Sequence, residues 1–286
     1  TFSSCIMISS QIIKCALVFI FMIGIAFFSK SIPSISVSTT TASSIQDSTF
    51  PMVYLQVGES FINPLHGYSS ELNSSTVRES ITPLDTGKTF AVNIAENDSK
   101  IKKLSYELRD IANNKSIETG DITAFDKNKK YKVATVHLKE AMDTSTEYGF
   151  CMTLITNYSK KIHFYTRIKY YDNDFFLSKK LDFVAKFHAA TFDQGKSLDL
   201  SQYLESGTND DSSYESVDIH SSRKLITWGK LKPRKLTDVV PTVKELNIET
   251  AAISQTYFVS ATTASGSETY QVKEFYRVRY SGGRKQ

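Results

Sequence analysis

Apolar and polar residues alternate along this chain in three rhythms, and each predicts a different element. The first is an unbroken apolar run from Cys15 to Phe28, extended by Ile12 and Ile13 across a single lysine, Lys14. About 17 helical residues span roughly 25 Å, close to the ~30 Å hydrocarbon core of a bilayer, and Lys14 can snorkel to the headgroups. Because the run is apolar all round and not on one stripe, a membrane helix over residues 12–28 is expected, not a buried core helix. Thr40 and Ala42 supply the −3 and −1 positions of a signal-peptide cleavage site, but they lie well past the apolar run, so retention as an anchor is favoured over removal. Most of the chain follows this segment, which predicts the amino terminus inside and residues 29–286 outside.

The second rhythm has period two. MVYLQV, KTFAVNIA, KIKKLSYELRDI, YKVATVHL, EYGFCMTLIT and KIHFYTRIKYY read as strands between Met52 and Tyr171. In the last of them Ile162, Phe164, Thr166, Ile168 and Tyr170 alternate with His163, Tyr165, Arg167 and Lys169, which predicts a half-buried antiparallel strand. Turn chemistry separates the runs at Asn97-Asp98-Ser99, Asn113-Asn114-Lys115, Asp126-Lys127-Asn128 and Asn157-Tyr158-Ser159. Strands at this spacing without helices between them predict a β-sandwich over residues 51–173, immunoglobulin-like in layout but lacking the Cys…Trp…Cys hallmark. Residues 1–30 are then the anchor, and the Ser/Thr-rich residues 31–50 a stalk.

The third rhythm is helical. Leu177, Leu181, Val184 and Phe187, supported by Phe176 and Phe183, recur at three- and four-residue steps with Lys179, Lys180, Asp182 and Lys186 between them. This predicts a helix from about Asp174 to Thr191, then a short second helix capped by Ser197 or Asp199 and running through Leu204. Strands are expected to resume at YESVDIHS, RKLITWGKL, TVKELNIET, AISQTYFVSAT and TYQVKEFYRVRY, the last two joined by a turn over residues 263–267. Tyr270, Val272, Tyr276, Val278 and Tyr280 should face one way, and Lys273, Arg277 and Arg279 the other. Residues 174–286 therefore read as an α+β domain with an antiparallel sheet and one or two helices, and the chain as a whole as mostly β, or α+β.

Composition narrows the function classes. Of 286 residues 41% are hydrophobic and 12% aromatic, with only 12 Gly and 6 Pro, which excludes a wholly disordered or collagen-like chain. The net charge of +4 is spread thinly, so nothing marks a nucleic-acid partner. Cys5 and Cys15 belong to the anchor, leaving Cys151 alone in the exported part. No disulfide can form there, and cysteine-based zinc sites are excluded by count, a usage that suits a Gram-positive envelope.

Candidate chemistry is sparse. The five histidines, His66, His137, His163, His188 and His220, show no metal-ligand spacing, so neither a metal nor a cofactor is expected. His220 stands out because Asp218, Ser221 and Ser222 surround it, yet a nucleophilic triad needs spatial adjacency and an oxyanion hole that sequence neighbours do not supply. Ser221-Ser222-Arg223-Lys224 matches S-x-x-K without its companion elements. The carboxylate pairs Asp172/Asp174 and Asp210/Asp211 are accounted for by helix capping and loop solvation. Cys151, mid-strand, reads as a buried thiol. Trp228, the only tryptophan, can stack on a sugar or fill the core between helix and sheet. The candidate ligand-binding residues are thus Trp228 and His220, and no catalytic residue is assigned.

Ile62-Asn63-Pro64-Leu65-His66-Gly67-Tyr68, Arg78-Glu79-Ser80-Ile81-Thr82-Pro83-Leu84, Ile219-His220-Ser221-Ser222 with Thr227-Trp228-Gly229, and Glu274-Phe275-Tyr276-Arg277-Val278-Arg279-Tyr280 resemble segments of uncharacterised single-pass surface proteins of clostridial Gram-positive bacteria. The resemblance covers residues 52–286 and implies a compartment and an architecture, with no activity attached. The reading that results is a non-enzymatic, single-pass membrane protein with its C-terminal part extracytoplasmic, presenting an interaction surface to an envelope protein or glycan. An accessory regulator of a membrane sensor kinase and a cell-envelope hydrolase are the alternatives.

Overall fold

Ten strands follow from the alternating segment: β1 (Met52–Val57), β2 (Ser60–Leu65), β3 (Ile81–Leu84), β4 (Thr89–Ala95), β5 (Ile101–Asp110), β6 (Ser116–Ile122), β7 (Asp126–Asn128), β8 (Tyr131–His137), β9 (Glu147–Thr156) and β10 (Lys161–Tyr170). The structure is a computed structural model and describes residues 50–73, 76–173, 175–205, 213–263 and 266–282. The apolar segment 12–28, residues 31–49 of the stalk, Asp174, Asp210, Asp211 and residues 264–265 of the expected turn lie outside the described residues. Among the described residues no helix is long and apolar enough to cross a membrane.

The strands form two five-stranded sheets, ordered β2-β1-β4-β8-β7 and β3-β10-β9-β5-β6, antiparallel except for the β3–β10 pair. Their inward rows meet as an apolar interior in which Val53, Val92, Ile94, Leu104, Leu108, Phe150, Met152 and Phe164 are fully buried. Phe90 of one sheet meets Phe150 of the other edge to face at 5.3 Å, an arrangement that suits the ring quadrupoles. All six strands expected from the pattern are present. Those not expected are β2 and β3, which carry Pro64 and Pro83, the polar β6, and the three-residue β7 where a turn was predicted. All four except β7 and β6 carry proline, and all four are edge strands, the positions where a missing backbone donor or a weak apolar pattern is tolerated.

β10 departs from the expected half-buried strand. Every residue from Ile162 to Ile168 is buried, on both faces. The outward side is covered by the chain before β3: Tyr68 and His163 exchange backbone hydrogen bonds at 2.8 and 2.9 Å, and the Leu72 N–H donates to the Tyr165 hydroxyl at 2.7 Å. A Cβ at Gly67 would lie 2.6 Å from the Ile162 side chain, so only glycine lets this segment come so close.

The C-terminal part comprises α1 (Leu177–Phe192), a 3₁₀ turn at Leu200–Gln202, α2 (Arg223–Ile226), β11 (Arg234–Lys235), β12 (Thr242–Leu246), β13 (Thr250–Thr263) and β14 (Gly266–Arg279). β13 is the spine of a third, antiparallel sheet, with β11 and β12 along one side and β14 along the other. α1 starts later than expected, after Phe176 in a left-handed conformation with no side-chain cap, so the first-turn acids expected to favour its dipole are not there. Lys180, expected on the polar face, is 2% exposed and donates to the carbonyls of Phe175, Asn247 and Ile248, fastening the helix start to the β12–β13 turn. The Asp199 carboxylate caps the 3₁₀ turn by accepting from the Ser201 N–H.

Two expected strands are absent. Residues 214–221 form bends and turns, and 223–231 form α2 and its exit. Ser222 caps α2 by accepting from the Leu225 N–H, and Trp228 and Gly229, both at positive φ, end it with Gly229 N–H donating to the Lys224 carbonyl at 2.7 Å. These cap and stop signals outrank the short alternation that suggested a strand.

The apolar core runs unbroken across the expected 173/174 boundary, from the sandwich through Tyr171, Phe175 and Leu177 to Val243, Ile253 and Val278. Asn63 secures that junction. Fully buried at φ 52°, it donates from Nδ2 to the Ile81 carbonyl (2.8 Å) and Thr82 Oγ1 (3.2 Å), and its Oδ1 accepts from the Val243 N–H at 2.9 Å. Asparagine tolerates the left-handed region better than most residues and supplies both donor and acceptor, which accounts for its place in β2.

Candidate functional site

The apolar stripe of α1 continues past Val184 to His188, and the inward row of the β13–β14 hairpin carries Gln255 and Tyr257 beside Glu274 and Tyr276. Packing the helix on the hairpin brings these groups together. The Glu274 carboxylate accepts from the Tyr257 hydroxyl at 2.7 Å and the Tyr276 hydroxyl at 2.9 Å, with His188 Nδ1 at 2.9 Å. On the far side of the imidazole, Lys235 Nζ lies 3.2 Å from Nε2. An ammonium only donates, so Nε2 accepts, and the ring proton resides on Nδ1, where it donates to Glu274. A cation and an anion are thereby joined through a neutral ring, with side-chain exposures of 7% for His188 and 16% for Glu274.

Burial first, then the charge of Glu274, pushes the tyrosines 257 and 276 well above the ordinary tyrosine range. Both phenols therefore stay protonated and remain donors. Gln255, opposite Glu274 in register, has a buried Oε1 with no hydrogen-bond partner among the described residues. Around this centre Phe192 packs 5.0 Å from His188, with Lys235 Nζ 4.7 Å from its ring centroid. The arrangement holds a carboxylate with three donors and pins a helix to a sheet.

Trp228 joins this assembly from outside. Its ring lies 5.5 Å from Phe192 and stacks on Tyr214 at 6.3 Å, with Nε1 buried and unpartnered among the described residues. His220 lies elsewhere, exposed, with Nδ1 3.6 Å from Glu205 Oε2. Its neighbours form a local turn in which Asp218 Oδ1 accepts from the His220 N–H and Ser221 Oγ accepts from the Asp218 N–H. The Ser221 hydroxyl is thus engaged with backbone, and the two candidate residues share no described partner. The buried centre was missed because Glu274 was not placed on the face shared by Val272 and Tyr276, nor His188 on the stripe of Leu181 and Val184. A carboxylate on an apolar strand face and an imidazole on an apolar helix face were the available signals.

Two clefts open on the sandwich. One of about 390 Å³ is lined by Glu71, Arg109, Asn114, Cys151 and Tyr165. Burial holds the Cys151 thiol up at about 11, which keeps it protonated and poorly nucleophilic at neutral pH. Arg109 is committed to Glu107 at 2.7 Å and the Asn114 carbonyl at 3.3 Å. The other cleft, about 450 Å³, is lined by Tyr106, Glu118, Asp121, His137 and Glu140. There Glu118 Oε2 accepts from the N–H groups of Lys139 and Glu140, and Asp121 is held by Lys103 at 2.7 Å. No group of three or more His, Cys, Asp or Glu suited to a metal ion occurs among the described residues.

The outward row of β14 is open to solvent. Lys273, Arg277 and Arg279 are exposed, and Phe275 between them is 65% exposed. The acids of this strand, Glu268 and Glu274, belong to the opposite row. Comparison with protein families and with curated proteins finds no match to the chain.

Proposed function

We propose that the chain is a non-enzymatic binding protein of the bacterial cell envelope, held at the membrane by residues 12–28 and presenting residues 29–286 outside. The reading rests on one contrast. The side chains that chemistry would recruit are committed to the fold, His188 and Glu274 to the buried centre and Ser221 to a local turn, whereas Lys273, Phe275 and Arg277 on the outward row of β14 are exposed to solvent. The apolar anchor, the exported part with a single cysteine, the immunoglobulin-like layout of the sandwich and the resemblance to clostridial surface proteins support the compartment.

The test is protease shaving of intact cells that express the full chain, followed by alkaline extraction of their membranes. The expected result is digestion from outside with an alkali-resistant membrane fragment. Recovery of intact, extractable chain after shaving overturns the tethering, and a hydrolytic activity on envelope polymer that vanishes in a folded His220→Ala or Ser221→Ala variant overturns the non-enzymatic reading.

A further inference from the structure

β14 is the outer strand of the third sheet. It pairs with β13 along its length, and from Thr269 to Arg279 no other backbone group among the described residues hydrogen-bonds to it. Its inward row is occupied: Tyr276 meets Phe187 at 5.8 Å, and Glu274 is held by His188. The outward row reads Gln271, Lys273, Phe275, Arg277, Arg279, and the facing residues of β13 are Phe258, Thr256, Ser254, Ala252 and Thr250, uncharged throughout. Among the described residues Arg279 alone in this row has an acidic partner, Glu249 at 2.7 Å. Burial holds the Lys244 ammonium below the ordinary lysine range; Glu79 opposes this, and the nearby charges of Lys273 and Arg167 add to it.

Such an edge repels a second copy of itself. Antiparallel pairing about Phe275 would set Lys273 of one chain against Arg277 of the other, and like charges directly opposite destabilise a sheet. Charge on an edge strand guards against self-association. Protection alone has no use for an aromatic ring left 65% in water at the centre of the row.

We infer that the free edge of β14 accepts an extended, acidic segment of a partner protein as an added strand. Main-chain hydrogen bonds would supply the pairing. Residues two apart on a strand share a face about 7 Å apart, so the outward row specifies acid-x-apolar-x-acid in the incoming segment, with carboxylates opposite Lys273 and Arg277 and the apolar side chain against Phe275. This deepens the binding reading above and rests on it.

The full chain in neutral detergent would be titrated with a fluorescent Thr-Glu-Thr-Val-Thr-Glu-Thr peptide, read by anisotropy. Controls are the same peptide with Lys for Glu, and a copy methylated at alternate backbone nitrogens. Expected are binding by the acidic peptide alone, a loss of tenfold or more in the Lys273→Glu/Arg277→Glu variant, several-fold weakening in Phe275→Ser, and loss on backbone methylation, with circular dichroism unchanged in both variants. Equal binding of the Lys peptide, indifference to either variant, or full binding of the methylated peptide overturns the inference. So does capture of phosphatidylglycerol micelles, in place of the peptide, that the double variant abolishes. Those failures leave the envelope location untouched, because protease shaving reads it independently.

Discussion

The sandwich and the helix-on-hairpin part solve the same burial problem with different chemistry. Between the sandwich sheets the interior is apolar, and Phe90, Phe150, Met152 and Phe164 need nothing from one another but shape. Under α1 the interior is partly polar, with His188, Glu274, Tyr257 and Tyr276 linked in one chain of hydrogen bonds that the exposed Lys235 extends to the surface. An apolar interior is indifferent to pH and forgiving of isosteric change. A buried polar network is specific in geometry but depends on every member and on protonation.

The largest effect expected is in the sandwich. Phe150→Ala removes a ring buried to 0% and should lower unfolding free energy by about 4 kcal/mol, measured by denaturant titration. A loss below about 1 kcal/mol would mean that the two sheets are not held by that contact. Next comes Glu274→Ala, which strands His188 and two buried phenols and should cost about 3 kcal/mol. Hydrogen exchange distinguishes the regions: protection should fall first in α1 and β14, while β9 and β10 keep theirs. Uniform loss would merge the two parts into one cooperative unit.

Alkaline pH sharpens the contrast further. The folded chain holds the protons of Tyr257 and Tyr276 more tightly than the unfolded chain, whose tyrosines ionise near 10.0. Their contribution is therefore complete below that pH and declines as pH rises through it toward the raised folded values. Tyr171, buried at the junction, adds to the same limb. Thermal midpoints should drop above pH 10, and the drop should be shallower in Tyr257→Phe/Tyr276→Phe, whose midpoint near neutral pH is already lower. The smallest effect is at His220: replacing this exposed residue by Ala should shift stability by no more than about 0.5 kcal/mol, and a larger shift would give its contact with Glu205 a structural weight.

Much of the strand content was legible because period two is a local property. β1, β4, β5, β8, β9, β10 and both long hairpin strands carry it. Where local cues conflicted, punctuation prevailed: the cap at Ser222 and the left-handed pair Trp228-Gly229 converted an apparent strand into a helical turn. β2 and β3 escaped because proline masks an edge strand. The site was less legible. Trp228 was marked for its chemistry, yet its neighbours Phe192 and Tyr214 come from distant positions in the chain.

Alternation by itself determined which residues of β13 and β14 face inward, since successive side chains on a strand must point to opposite sides. It also set the basic outward row at Lys273, Arg277 and Arg279. Only tertiary structure decided that Glu274 is a held anion, that Lys180 is a buried fastening and that β10 is covered on both faces. Each of those outcomes depends on a group far along the chain arriving within hydrogen-bond reach, and proximity of that kind is a property of packing, which no local pattern of residues encodes.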